Sequence, residues 1–300
     1  MQLPSAGSVR LWAAVLVPAL LLAAGCGSSK KSTSSTSATT APATLALSIT
    51  ESGKASKFTA PASTKGGLVT VRLTNDGKKL HGAQLFRITG GHTLQQAIQA
   101  TAGESSKTPD WIRAQGGIGA AAPGQTQAAT VNLPAGKYAV VDFAGAEEGP
   151  SSAPPAIAEM TVTPGTVGSL PATATTVTAI APAKDKYRWQ ISGPLKAGTN
   201  EITFASKGPD ALHHIVAVRL TEDVPVSQVL KDLEKENAPP PSYVDKSVNS
   251  STSVLDGGRS ETTQLILPKP GKYIFLCHLT DRDGGKPHFA EGLITKVNVQ

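Results

Sequence analysis

Short runs rich in β-branched and aromatic residues recur along the chain, among them "GLVTVRLTN" (67–75), "ATVNLPAGKYAVVDF" (129–143), "NEITFAS" (200–206) and "TTQLILPKPGKYIFL" (262–276). Gly, Pro, Asn and Asp punctuate them, which predicts strands joined by turns. A helical rhythm replaces this pattern in "VSQVLKDLEKE" (226–236), where Val226, Val229, Leu230 and Leu233 share one face. The Pro-rich "NAPPPSY" that follows would stop that helix. Nearer the N-terminus, "LWAAVLVPALLLAA" is apolar but shorter than the roughly 20 residues a membrane span needs. Residues 27–44, "GSSKKSTSSTSATTAPAT", hold no large apolar side chain and so have nothing to bury.

The strand pattern repeats as a block. "NDGKKLHGAQLFRITGGHTLQQAI" (75–98) aligns with "KGPDALHHIVAVRLTEDVPVSQVL" (207–230), matching Leu80, His81, Arg87, Ile88 and Thr89 to Leu212, His213, Arg219, Leu220 and Thr221. Farther on, "LPAGKYAVVDF" (133–143) matches "LPKPGKYIFLCH" (267–278) through Gly-Lys-Tyr. Order and spacing agree in both copies, so the chain is a duplicated domain rather than a short-period solenoid. Each copy reads as all-β with one modest helix between its His-bearing strand and its later hairpin, a pattern that favours two-sheet sandwiches. Residues 45–165 form the first expected domain and 174–300 the second, with the break inside "TPGTVGSLPATAT" (163–175).

Residues 1–25 read as an export signal: Arg10 gives the positive start, the apolar stretch follows, and small residues lead into Cys26. "LLAAGC" resembles the lipobox of bacterial lipoproteins, with Ala23 where Leu is usual. That resemblance implies cleavage before Cys26, lipidation of its thiol and a cell-membrane lipoprotein facing the extracytoplasmic side. Residues 26–44 would then be the lipidated Cys and its Ser/Thr-rich tether. Net charge is +6, of which Arg10 supplies one, leaving +5 for the mature chain. The excess is spread without a Lys/Arg block, which excludes nucleic acid from the expected partners.

With Cys26 lipidated, Cys277 has no disulfide partner within a chain of two cysteines. A lone thiol in an exported protein is buried and inert, reactive, or a metal ligand. Cys277 opens "CHLTDRDGGKPHFAEGL", with His278 beside it and His288 beyond. Here the second copy resembles a cupredoxin, the Greek-key sandwich that holds a type 1 blue copper, as in plastocyanin and azurin. "GKYIFLC" matches the strand that delivers the ligand cysteine, and "PHFAEGLITKVNV" matches the end of such domains in spacing.

The resemblance implies one copper per chain, held by His213, Cys277 and His288, with Leu293 at the usual axial Met position. Thiolate with two imidazoles suits copper in both oxidation states. Two departures stand out. The Cys-to-His loop, "HLTDRDGGKP", is long. Leu293 cannot donate to a metal, which implies a three-coordinate copper with a raised potential, or loss of metal.

Two alternative ligands stay open. Repeat alignment favours His213, whereas strand alternation favours His214, because His214, Val216, Val218 and Leu220 make a continuous apolar face. His278 should point to the opposite strand face from the Cys277 thiol. In the first copy His81 persists, but Asp142 stands where Cys277 would be, and that copy is expected to be a metal-free, degenerate domain. His81 reads as an ordinary polar residue at a strand start, and His92, in the "TGGHT" turn, as a solvated loop residue.

The expected function is a membrane-anchored copper protein, not an enzyme, that passes single electrons to a redox partner protein. Two alternatives are a metal-free cupredoxin-like envelope binding protein and a two-domain copper oxidase or reductase. The last would need more histidines than the six present, none of which forms a His-x-His pair. No Gly-x-Ser-x-Gly elbow supports a hydrolase.

Overall fold

The computed structural model describes residues 41–53, 55–101, 107–142, 155–183, 186–208, 211–235, 239–248 and 250–300. The expected export signal, Cys26 and most of the expected tether lie outside the described residues. The first copy runs β1 (Ala43–Ser52), β2 (Ala55–Thr59), β3 (Ser63–Lys65), β4 (Gly67–Asn75), β5 (His81–Ile88), α1 (Leu94–Thr101), β6 (Ile112–Ala121), β7 (Thr126–Leu133), β8 (Gly136–Val141) and β9 (Ile157–Thr163). The second runs β10 (Thr175–Ala183), β11 (Lys186–Ser192), β12 (Gly198–Lys207), β13 (Val216–Arg219), α2 (Val226–Leu233), β14 (Ser250–Ser251), β15 (Ser260–Leu267), β16 (Gly271–Leu276) and β17 (Ile294–Val299).

Each copy is a two-sheet sandwich, and the two share a sheet. The eight-stranded sheet has the order β11-β10-β12-β15-β7-β4-β1-β2, so one half belongs to each copy. Against it pack β3-β9-β8-β5-β6 in the first copy and β14-β13-β16-β17 in the second. Topology repeats along with sequence: β1 lies parallel to β4 as β10 does to β12, and β8 pairs with β9 as β16 does with β17. This is the all-β, cupredoxin-like arrangement of tandem Greek-key sandwiches.

The seam is the antiparallel pairing of β7 with β15, two strands equivalent in the repeat. Leu133 corresponds to Leu267, so Ala129 corresponds to Thr263, and those two residues face each other across the seam. The copies therefore meet about a local pseudo-twofold, and residues 41–300 form one compact unit. Glu261 sits at this seam, fully buried, accepting from Gly117 N–H of the first copy at 3.0 Å and bonded to Ser253 Oγ at 2.8 Å.

Both copies share the same layering. Leu45, Val71, Leu85 and Tyr138 lie between the sheets of the first sandwich, and Ile202, Phe204, Tyr273 and Phe275 between those of the second. Helix α1 covers the outer face of its sheet at Ile88, Ile112 and Ala139, and α2 does the same at Val216, Ile274 and Leu276. The predicted face of α2 is the one it turns inward: Val229 is buried, with Val226, Leu230 and Leu233 packed around it. The hairpin expected at each Gly-Lys-Tyr turn is instead a corner that carries the chain from the shared sheet to the opposing one, one residue longer in the second copy, and the same bond fixes both corners. Tyr138 donates its hydroxyl to Pro134 O at 2.7 Å, and Tyr273 donates to Lys269 O at 2.8 Å. These corner bonds satisfy a buried phenol and anchor the strand that runs on to Asp142 in one copy and Cys277 in the other.

Candidate metal centre

Three segments bring donors together at one end of the second sandwich. Strand β16 ends at Leu276 and hands over to Cys277, which alternates in register with the inward-facing Tyr273 and Phe275, so its thiol joins the interior. His213 lies just before β13 and exchanges both backbone hydrogen bonds with Leu255, at 3.0 and 2.9 Å. His288 returns from the long loop, whose neck is closed twice: His288 N–H donates to Leu279 O at 2.8 Å and Phe289 N–H to Cys277 O at 2.9 Å. That neck holds His288 beside Cys277 whatever the loop length beyond it.

The three side chains are fully buried, and one donor atom from each lies within 4.8 Å of the others. The two Nδ1 atoms face each other at 3.1 Å, and Cys277 Sγ lies 3.7 Å from His288 Nδ1. Burial keeps this cluster neutral. It pushes the Cys277 thiol up to about 12 against the pull of backbone hydrogen bonds. It also pushes His213 down to about 3, with smaller repulsions from His288 and His214. For His288, burial lowers basicity while the Asp281 carboxylate opposes it. With a metal cation bound, this logic would reverse: Cys277 would be held as the thiolate, and His213 and His288 would each offer an imidazole lone pair.

The donor set fits copper. Two imidazole nitrogens and one thiolate make the trigonal His2Cys set of blue-copper sites, and a buried polar triad with apolar walls excludes water. Leu293, the residue that the resemblance sets at the axial Met position, is fully buried in the same interior cluster as Cys277 and offers no donor atom. His213 Nε2 has no hydrogen-bond partner, so the chain orients that ring through packing and the Leu255 backbone pairing.

The contest between His213 and His214 resolves through the layers. Ile215 and Ala217, which share parity with His213, are in the sandwich interior with Cys277. Val216 and Leu220, on the His214 parity, lie in the layer under α2. Alternation holds, but the continuous apolar face is the helix-covered one. His214 and His278 are therefore both on the far side of the strands from the donor cluster. His278 donates its backbone N–H to His214 Nε2 at 3.2 Å, and its ring stands edge-on to Phe289.

The first copy answers differently at the same positions. His81 is buried, with Nδ1 at 2.6 Å from Asp142 Oδ2 and Nε2 at 2.9 Å from Glu51 Oε1. This corrects the reading of His81 as an ordinary polar residue: it sits between two carboxylates, one of which replaces the thiol. His92 is half-buried rather than solvated, stacked on Trp111 with ring centroids 4.0 Å apart.

Sequence reasoning missed the outer partners of His288. Its Nε2 lies 3.2 Å from Asp281 Oδ1, which also accepts the Tyr187 hydroxyl at 2.6 Å. The Tyr187 ring covers His288 with centroids 4.3 Å apart and stands edge-on to His213 at 5.4 Å. Asp281 could have been suspected as a carboxylate inside the Cys-to-His loop; Tyr187, remote in sequence on β11, carried no signal.

No family model and no curated protein sequence matches the chain. Similar solved structures include dithionite-reduced auracyanin from the photosynthetic bacterium Roseiflexus castenholzii, 27% identical over 43% of this chain and 99% of that one, with a TM-score of 0.27. A multicopper oxidase is 17% identical over 86% of this chain and 88% of its own, with a TM-score of 0.24. A copper nitrite reductase from Nitrosomonas europaea is 14% identical over 87% and 94%, with a TM-score of 0.24.

Proposed function

We propose that this chain is an exported, lipid-anchored copper protein that passes one electron at a time through a type 1 centre in its second sandwich. The observation that carries the reading is the convergence of His213 Nδ1, His288 Nδ1 and Cys277 Sγ in a fully buried cluster. Bound there, copper supplies a one-electron couple. The chain's own part is to hold three ligands in place so that little rearrangement accompanies the change in charge. Backbone pairing with Leu255 fixes His213, the corner bond of Tyr273 fixes the strand into Cys277, and the closed loop neck fixes His288. Lipidation at Cys26 and the Ser/Thr-rich tether would keep this centre near a membrane and within reach of a redox partner.

A redox titration of the copper-loaded full chain tests the reading. One electron per chain, removed and restored reversibly with loss and return of a visible thiolate-to-copper band, supports it. Irreversible bleaching, or stable copper without a redox change, contradicts it. Mass spectrometry of the cell-derived chain tests the anchor, which predicts a lipid-bearing Cys26 as the first residue.

A second reading, a copper oxidoreductase acting on a small molecule, draws on a cavity of about 770 Å³. Its walls include Phe86, Ile112 and Val141 from the first copy and Leu212, His214 and Leu279 from the metal end of the second. The size suits a small ligand. Among the described residues, however, the His213, Cys277 and His288 group is the one set of three metal donors found.

A further inference from the structure

We propose that Asp281 is the positioning residue that orients and tunes His288, and that the first sandwich holds Asp281 in place through its neighbour Arg282. The proposal rests on the copper reading above and assigns a purpose both to the long Cys-to-His loop and to the degenerate copy.

The geometry begins at the ring. His288 offers Nδ1 toward Cys277 and His213, so its other nitrogen, Nε2, carries the proton and donates to Asp281 Oδ1 at 3.2 Å. A carboxylate on the far nitrogen fixes the tautomer and the ring plane and makes the ligand nitrogen more electron-rich. The Tyr187 hydroxyl, at 2.6 Å on the same oxygen, holds the carboxylate from the other side while its ring covers the imidazole.

The loop bearing Asp281 would be a mobile element if its neck were its only tether. Instead, Arg282 reaches into the first copy. Its guanidinium donates to Pro109 O at 3.0 Å and Ile112 O at 2.9 Å, and it pairs with Asp256. The backbone answers in kind, with Thr108 N–H donating to Arg282 O at 2.7 Å. Arg282 is 7% exposed and Asp256 4%, so this is a buried clamp rather than a surface ion pair. Asp256 follows Leu255, which pairs with His213 and also bridges Gln115 of β6. The first copy thereby backs both histidines: one through Leu255, the other through Arg282 and Asp281.

The test uses the full chain with Asp281→Ala, Asp281→Asn and Arg282→Gln. Copper-loaded Asp281→Ala should lose about tenfold in Cu(II) affinity, the scale of removing a ligand's outer partner, with Cu(I) affinity unchanged. For a one-electron couple that ratio is a potential raised by about 59 mV. Asp281→Asn keeps an acceptor without the charge and should shift the potential less, in the same direction. Arg282→Gln should also raise it, and the double variant with Asp281→Ala should add nothing further, because the arginine acts through the carboxylate.

A readout without copper separates this proposal from the one it rests on. In the metal-free full chain the His288 Nε2–H proton, assigned by its loss in His288→Gln, should exchange slowly by NMR and become fast in Asp281→Ala. Wild-type affinity ratio and unchanged proton protection in a folded Asp281→Ala chain would overturn the assignment, as would fully additive effects of the Asp281 and Arg282 variants. If wild type binds no copper, the functional reading fails while the proton exchange still decides the positioning.

Discussion

His81 Nδ1 and Asp142 Oδ2 stand 2.6 Å apart at the positions that His213 and Cys277 occupy in the second sandwich. One scaffold thus carries two solutions to the same buried spot, an imidazole held between carboxylates and a thiol among imidazoles. The corner tyrosines Tyr138 and Tyr273 anchor the strand that leads into each spot through the same hydroxyl-to-carbonyl bond, and different side chains then fill it.

From this follows a separation of stability from metal binding. His81→Ala takes the imidazole from the buried Asp142 carboxyl, which among the described residues keeps only the Gly82 N–H at 2.8 Å, and should cost about 3–5 kcal/mol, the usual penalty for breaking a buried pair from one side. Chemical denaturation measures the loss, and the copper content of the chain that remains folded should stay at one per chain.

The layer assignment of the adjacent histidines can be checked by substitution. His213→Gln and His288→Gln should abolish the visible band, whereas His214→Gln and His278→Gln should preserve it. Loss of the band with His214→Gln in a folded chain would reverse the assignment.

Leu293→Met is close to volume-conserving and should cost less than about 1.5 kcal/mol. It supplies a thioether where the chain now presents an alkyl group, and should lower the reduction potential by favouring Cu(II). Electrochemistry on both proteins reads the sign directly.

Burial at the seam raises the Glu261 carboxyl from 4.5 to about 8, against the pull of its bonds to Gly117 and Ser253. The folded state therefore favours the proton. Its contribution is fully present below the unfolded value and is lost as pH rises from 4.5 through about 8. Denaturation midpoints of wild type should fall across that window, and those of Glu261→Gln should fall less.

Much of this molecule was legible in its sequence because duplication exposes constraint twice. The Gly-Lys-Tyr turns and the helix face of Val226, Val229, Leu230 and Leu233 follow from local pattern or from alignment of the copies, whereas the triad of His213, Cys277 and His288 came from the resemblance to cupredoxins. Alternation along β13 pointed to His214, because the continuous apolar face it detects is the one under α2, while the face that carries His213 turns toward the opposing sheet. Tyr187 and Arg282 were illegible for a different reason. Their roles arise where a hairpin and a loop meet elements distant in the chain, and a single Tyr or Arg in such segments reads as surface. The carboxylate pocket around His81 needed Glu51, which lies near the end of β1 and 30 residues from His81 in the chain.

The central claim is that Cys277 is a copper ligand. It is tested most directly by the absorption spectrum of the full chain after addition of Cu(II), with bound copper quantified by elemental analysis. Copper held by Cys277 should give an intense visible thiolate-to-copper band at one copper per chain, absent in Cys277→Ser. A folded chain that binds no copper, or a Cys277→Ser variant that keeps the band, contradicts it.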